Sequence, residues 1–153
     1  MTSLIDLDIA GRADIPVAEG AGRPLAMAFR GPADFVHGVN GQADIPLAPP
    51  SRAPHRLDAA HFIIEQVLAA PGEITLVPIG PLTNIAIALL LRPDLPQHLA
   101  GIVLMGGARS EGGNVTPAAE YNIYVDPEAA KKVFASGTPI VMIPLDCTHQ
   151  ALT

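Results

Sequence analysis

Apolar positions first become regular at Leu57. Leu57, Ala60, Ile63, Ile64, Val67 and Leu68 fall at i, i+3, i+6, i+7, i+10 and i+11, the stripe of an amphipathic helix, and Pro71-Gly72 stops it. "ITLVPI" (74–79) is a β-branched run with no alternation, which predicts a strand covered on both faces. Gly80-Pro81 turns into "LTNIAIALLL", a helix ended by Pro93, with Pro81 suited to its first turn. "GIVLM" (101–105) predicts a second buried strand. Asp126-Pro127-Glu128 combines an N-cap, an N1 proline and an early acid, so a helix is expected from there to Ser136-Gly137. "PIVMIPL" (139–145) is a third buried strand in this reading.

Helix, strand, helix, strand, helix, strand describes an α/β fold: a doubly wound, mostly parallel sheet with helices on both faces. The pattern before Leu57 is weaker. It predicts a short apolar helix near the N-terminus, a brief strand at 15–17 ("IPV") and a long loop over 31–56.

With 153 residues the chain fits a single domain. Hydrophobic residues make up 49% and charged residues 16%, a composition rich enough in apolar groups for a packed core. A net charge of −6 without a Lys/Arg cluster argues against nucleic acid as a partner. One cysteine, Cys147, excludes an internal disulfide framework and reads as a small buried hydrophobe. "MTSLIDLDIAGRAD" lacks a basic-then-apolar leader pattern and no apolar run reaches spanning length, so no membrane partner and a cytoplasmic location are expected. Phosphate-loop, dinucleotide-fold and serine-elbow patterns are all absent.

The chemistry concentrates in "GGNVTPAAEYNIYVDPEAA" (112–130). Asn114, Glu120 and Asn122 are three polar groups in a Gly- and Pro-punctuated connection after a strand, where α/β proteins keep their ligands. They are either a solvated loop or aimed at something rich in hydroxyls. On an extended segment Glu120 and Asn122 would point the same way. A carboxylate accepts bonds from a diol, and an amide both donates and accepts. Asp126 reads as a helix cap, Thr83 and Asn84 as first-turn residues, with Asn84 alternatively facing the crevice. His55, His61 and His98 show no ligand spacing, and Asp146 and His149 suggest structural hydrogen bonding at a strand end.

"PGEITLVPIGPLTNIAIAL", "IVLMGGA", "GNVTPAAEYNIYVDPEAAKKVF" and "PLDCTHQ", with "AGRADIPVAEGAGRPL" and the His37-Gly38 pair upstream, resemble the inosine-uridine preferring nucleoside hydrolases. The resemblance spans nearly the whole chain and is densest over 71–149. It implies a nucleoside hydrolase-like fold, here partial, and hydrolysis of the N-glycosidic bond of purine or pyrimidine ribonucleosides. It implies that Asn114, Glu120 and Asn122 hold the ribose, that Met105 and His37 flank it, and that the Ile79 backbone carbonyl is a ligand of a catalytic Ca²⁺. A homo-oligomer is also implied. The family's opening D-x-D-x-G-x-D-D pattern has no counterpart here; Asp6 and Asp8 in "IDLDIAGRAD" read as helix-surface acids. The resemblance thus describes the middle of a longer enzyme. As a fragment it is expected to be inactive, to bind Ca²⁺ poorly and to expose apolar surface. The alternative is a non-catalytic nucleoside or ribose binder, or an inactive remnant.

Overall fold

The structure is a computed structural model that describes residues 2–28, 31 and 37–151. Its elements, in chain order, are α1 (Thr2–Ile9), α2 (Ala59–Ala69), β1 (Thr75–Leu76), α3 (Thr83–Leu91), a 3-10 turn (Leu95–His98), β2 (Gly101–Met105), α4 (Tyr121–Val125), α5 (Pro127–Phe134), β3 (Ile140–Ile143) and α6 (Leu145–Thr148). The strands form a parallel sheet in the order β1-β2-β3. Thr75 lies opposite Gly101 and Leu76 opposite Ile102; Ile102 through Met105 lie opposite Ile140 through Ile143. This is the expected α/β architecture.

The register explains the core. Leu76, Ile102 and Ile140 sit side by side, and Ile102 and Leu104 are buried in one cluster with Ala60 and Val67 of α2, Ile85, Ala86, Ala88 and Leu89 of α3, and Ala129, Ala130 and Val133 of α5. Each fully buried Leu or Ile contributes about 1.5–3 kcal/mol relative to an exposed one. Ala86, Ala88 and Ala129 are completely covered, and their small side chains let α3 sit close to both α2 and α5. Asp58 caps α2 by accepting from the His61 amide at 3.0 Å. Asp126 caps α5, Pro127 occupies its first turn, Glu128 faces the positive end of its dipole and Lys131 and Lys132 the negative end.

Two-sided burial holds for β2, in which no residue is exposed, and is corrected for β1 and β3. β1 is only two residues long, and exposure alternates along the run: Val77 is 64% exposed and Ile79 80%, while Val141 in β3 is 56% exposed. An unbroken apolar run does not reveal which face has a covering layer. Leu76, Ile102 and Ile140 pack against the helices, while in the two outer strands the alternates Val77 and Val141 open outward. Pro78 also has no N–H to extend the ladder, although its carbonyl still accepts from the Met105 amide at 2.9 Å.

The expected strand at 15–17 is absent. That segment instead takes single bonds from a later one: His55 N–H to the Val17 carbonyl, Ala59 N–H to the Glu19 carbonyl, and one isolated bridge between Glu19 and Asp58. In the 31–56 loop, residues 32–36 lie outside the described ones. The described remainder contains a tight knot in which the Asp44 carboxylate accepts from the Val39 and Asn40 amides. α1 is tied to this loop: Asp6 accepts from Gln42 and Asp8 from Ser51, so both acids serve the surface, as expected. Cys147 is exposed, against expectation, because α6 turns it outward while burying Leu145.

Candidate active site

The carboxyl ends of β1, β2 and β3 carry the polar residues that the sequence singles out. After Met105 the chain enters Gly106-Gly107. Gly107 has φ +76°, in the left-handed region, and a Cβ there would lie 3.1 Å from the Met142 sulfur. Its amide donates to Glu120 Oε2 at 2.9 Å. The chain then loops out and returns through a narrow hairpin in which the Gly113 amide donates to the Pro117 carbonyl and the Val115 amide to the Ala119 carbonyl. Gly113 passes so close to the returning chain that a Cβ would fall 2.2–2.4 Å from Ala119 backbone atoms. Only glycine fits this crossing, which delivers Glu120 to the rim.

Glu120 and Asn122 are not on an extended segment. Glu120 is the N-cap of α4, and Asn122 lies inside that five-residue helix. "YNIYV" is too short and too rich in β-branched and aromatic residues for its helicity to be read from periodicity. Glu120 is 2% exposed and accepts from the Gly107 and Ile123 amides, both through Oε2. Oε1 therefore takes no donor from the described residues. Asn122, 8% exposed, donates from Nδ2 to the Met105 carbonyl at 3.1 Å, with a longer 3.5 Å contact to the Ile79 carbonyl. Its Oδ1 is left to accept. Asn114 is exposed; its Oδ1 accepts from the Tyr121 amide at 2.9 Å, which leaves its Nδ2 to donate. Backbone bonds thus join Asn114, Glu120, Asn122, Met105 and Ile79 at one rim, with two acceptors and one donor unspent.

His37 is exposed and stands apart from that bonded set. It lines a 410 Å³ cleft together with Arg23, Pro81, Thr83, Asn84 and Tyr121. Tyr121 lies between Glu120 and Asn122 in the chain, so the cleft borders the rim. Asn84 is more than a first-turn residue: its Oδ1 accepts from the Ala21 amide at 2.8 Å and pins the 20–25 segment over this cleft. Asp126 also exceeds its expected role. Besides the Ala129 amide it accepts from Thr83 Oγ1 at 2.7 Å and from the Leu25 amide at 2.9 Å, and it is completely buried. Sequence reasoning misses both ties because the partners lie 63 and 101 positions away.

On the other flank, the Asp146 carboxylate receives the amides of Arg109 and Ser110 at 2.8 Å and of Glu111 at 3.2 Å. The Arg109 and Ser110 amides, in that order, hold its pKa down to about 2. His149 Nδ1 pairs with Glu111 across the same loop. The structural reading of Asp146 and His149 stands.

The ligand set fits Ca²⁺ poorly. The cation takes six to eight oxygens, several of them carboxylate. Here the Ile79 carbonyl faces the Asn122 amide nitrogen, a donor that repels a cation, and no group of three or more His, Cys, Asp or Glu side chains gathers among the described residues. These residues alone do not form a Ca²⁺ site.

Comparison with known proteins bears on the whole chain. Residues 3–153 match the family described as inosine-uridine preferring nucleoside hydrolase. The chain is 47% identical to uridine nucleosidase 1 of Arabidopsis thaliana, over 97% of this chain and 44% of that protein. It is 50% identical to the pyrimidine-specific ribonucleoside hydrolase RihA of Shewanella woodyi, over 95% and 46%. A solved plant nucleoside hydrolase, PpNRh1, superposes with a TM-score of 0.90 at 42% identity, over 97% of this chain and 47% of that one. The chain spans about half the length of the relatives it matches. On this evidence it belongs to the inosine-uridine preferring nucleoside hydrolase family.

Proposed function

We propose that this chain carries the sugar-holding rim of a nucleoside N-ribohydrolase, which cleaves the bond between ribose and base with water. The observation that carries the reading is the unspent hydrogen-bonding capacity of three fixed side chains: Glu120 Oε1 and Asn122 Oδ1 to accept, Asn114 Nδ2 to donate. A ribose diol offers two hydroxyl donors and several acceptor lone pairs, which matches that polarity. As the bond to the base breaks, the sugar gains oxocarbenium character, and a buried carboxylate beside its hydroxyls stabilises the developing positive charge. Met105, whose sulfur lies 3.4 Å from Asn122 Nδ2, forms the apolar wall in this reading, and His37 borders the base side across the cleft. Activation of the water is assigned to no residue described here. A Ca²⁺ at the Ile79 carbonyl would lower the pKa of that water, but the present ligand set gives it no seat.

Pyrimidine nucleosides are the proposed substrates, in keeping with the names of relatives at 47% and 50% identity. Calorimetric titration of the chain with ribose, uridine and inosine, with and without Ca²⁺, tests the proposal, alongside an assay of reducing-sugar release. The expected result is saccharide binding that Glu120→Ala or Asn122→Ala weakens by roughly ten-fold or more, since hydrogen bonds to charged or buried polar groups are worth about 1.5–3 kcal/mol. A folded chain that binds neither ribose nor nucleoside overturns it. Binding without turnover would assign holding alone to this chain.

A further inference from the structure

The position of Glu120 is shared between its own helix and a loop of another segment. Its Oε2 is tethered to the Gly107 amide as well as to the Ile123 amide of its own helix, so the 106–111 loop supplies one of the two bonds that place the carboxylate. That loop is gripped from the far side by the end of β3 and the start of α6. The Gly106 amide donates to the Ile143 carbonyl, and the Leu145 amide donates to the Gly107 carbonyl. Three successive amides, Arg109, Ser110 and Glu111, converge on the Asp146 carboxylate, and the His149–Glu111 pair closes the outer turn. Gly107 is thus held between Glu120 on one side and the Leu145-Asp146 corner on the other, in the left-handed conformation that glycine allows.

We propose that Asp146 is a positioning residue for Glu120, acting through the 107–111 loop, and sets the placement of the site carboxylate without touching substrate. Convergence of three amide donors on one carboxylate fixes three consecutive peptide planes, a rigid arm that ends two residues from Gly107. Loss of the carboxylate hands those exposed amides to water, releases the arm, and loosens the Gly107–Glu120 bond at its other end. The catalytic meaning rests on the ribose-holding reading above; the mechanical claim does not.

The test is hydrogen exchange, resolved by residue, in the chain and in Asp146→Ala and Asp146→Asn variants. The amides of 109–111 should exchange faster by roughly ten-fold or more in Asp146→Ala, as expected for lost bonds to a charged acceptor. The Gly107 amide, which contacts Asp146 nowhere, should accelerate as well, while Leu104 in β2 stays unchanged and certifies that the variant is folded. Asp146→Asn, which keeps one acceptor oxygen, should fall between the two. Faster exchange at 109–111 with Gly107 unchanged overturns the proposal, because the arm would then end before the site. In a parallel ribose titration, Asp146→Ala should weaken binding in step with the Gly107 exchange. Accelerated Gly107 exchange in a chain with no ribose affinity would leave the positioning standing and remove the ribose reading instead.

Discussion

Asp126 makes the most quantitative prediction. Read from the sequence it is a helix cap, and replacing a cap by Ala costs about 1 kcal/mol. In the structure the same carboxylate joins three segments: Oδ1 receives the Ala129 amide, and Oδ2 receives both the Thr83 hydroxyl and the Leu25 amide, with the side chain completely buried. Truncation to Ala therefore strands the Thr83 hydroxyl, itself 6% exposed, at about 1–3 kcal/mol, and the Leu25 amide, nearer the surface, at about 1 kcal/mol. Together with the cap this gives about 3–5 kcal/mol. In a domain of this size each kcal/mol moves Tm by about 2–4 °C, so Asp126→Ala should melt about 6–20 °C below the parent. Asp126→Ser keeps a capping oxygen but cannot span to Thr83, and should recover only about 1 kcal/mol of the loss. Urea unfolding of the parent, the two variants, Thr83→Val and the double variant Thr83→Val/Asp126→Ala measures the costs and the coupling between Asp126 and Thr83. A cost for Asp126→Ala near 1 kcal/mol, with additive Thr83→Val, would show the residue to be a cap and nothing more.

Gly113→Ala should displace the 113–119 hairpin, because the new methyl meets Ala119 backbone atoms at 2.2–2.4 Å where ordinary contact begins near 3.4 Å. The strain is about 1–3 kcal/mol by the cost of overpacking, and ribose affinity should fall further than stability does, read by calorimetry beside urea unfolding. If Gly113→Ala binds ribose like the parent, the crossing does not set Glu120. Asp146 predicts an acid dependence with a definite sign. Its folded pKa of about 2 lies below the usual 3.8, so its contribution is complete above about pH 4 and is lost as pH falls toward about 2. Urea midpoints at pH 5 and pH 2.5 should therefore drop more for the parent than for Asp146→Asn; equal drops would refute the assignment.

The three core strands and the helices at 59–69, 83–91 and 127–134 were legible because each signal is local: a periodic stripe, a β-branched run, a Pro or Gly stop, a cap followed by proline. What failed has a common cause as well. Whether "ITLVPI" is covered on one face or two depends on elements elsewhere in the chain, and no property of those six residues carries that information. The fate of Asp126, Asn84 and Glu120 likewise depends on distant backbone: an amide at 25, one at 21, one at 107. Local chemistry marks Glu120 and Asn122 as unusual polar residues for so apolar a chain, but it places them on extended backbone, where alternation would align them. A short helix aligns them differently. Capping α4 and holding the loop both consume Glu120 Oε2, and the Met105 carbonyl takes Asn122 Nδ2, so folding itself decides which atom of each group remains for a ligand. The backbone takes the donor side of the bifunctional Asn122 amide and one oxygen of the Glu120 carboxylate, so both groups are left as acceptors, which in the proposed reading suits a ligand whose hydroxyls donate.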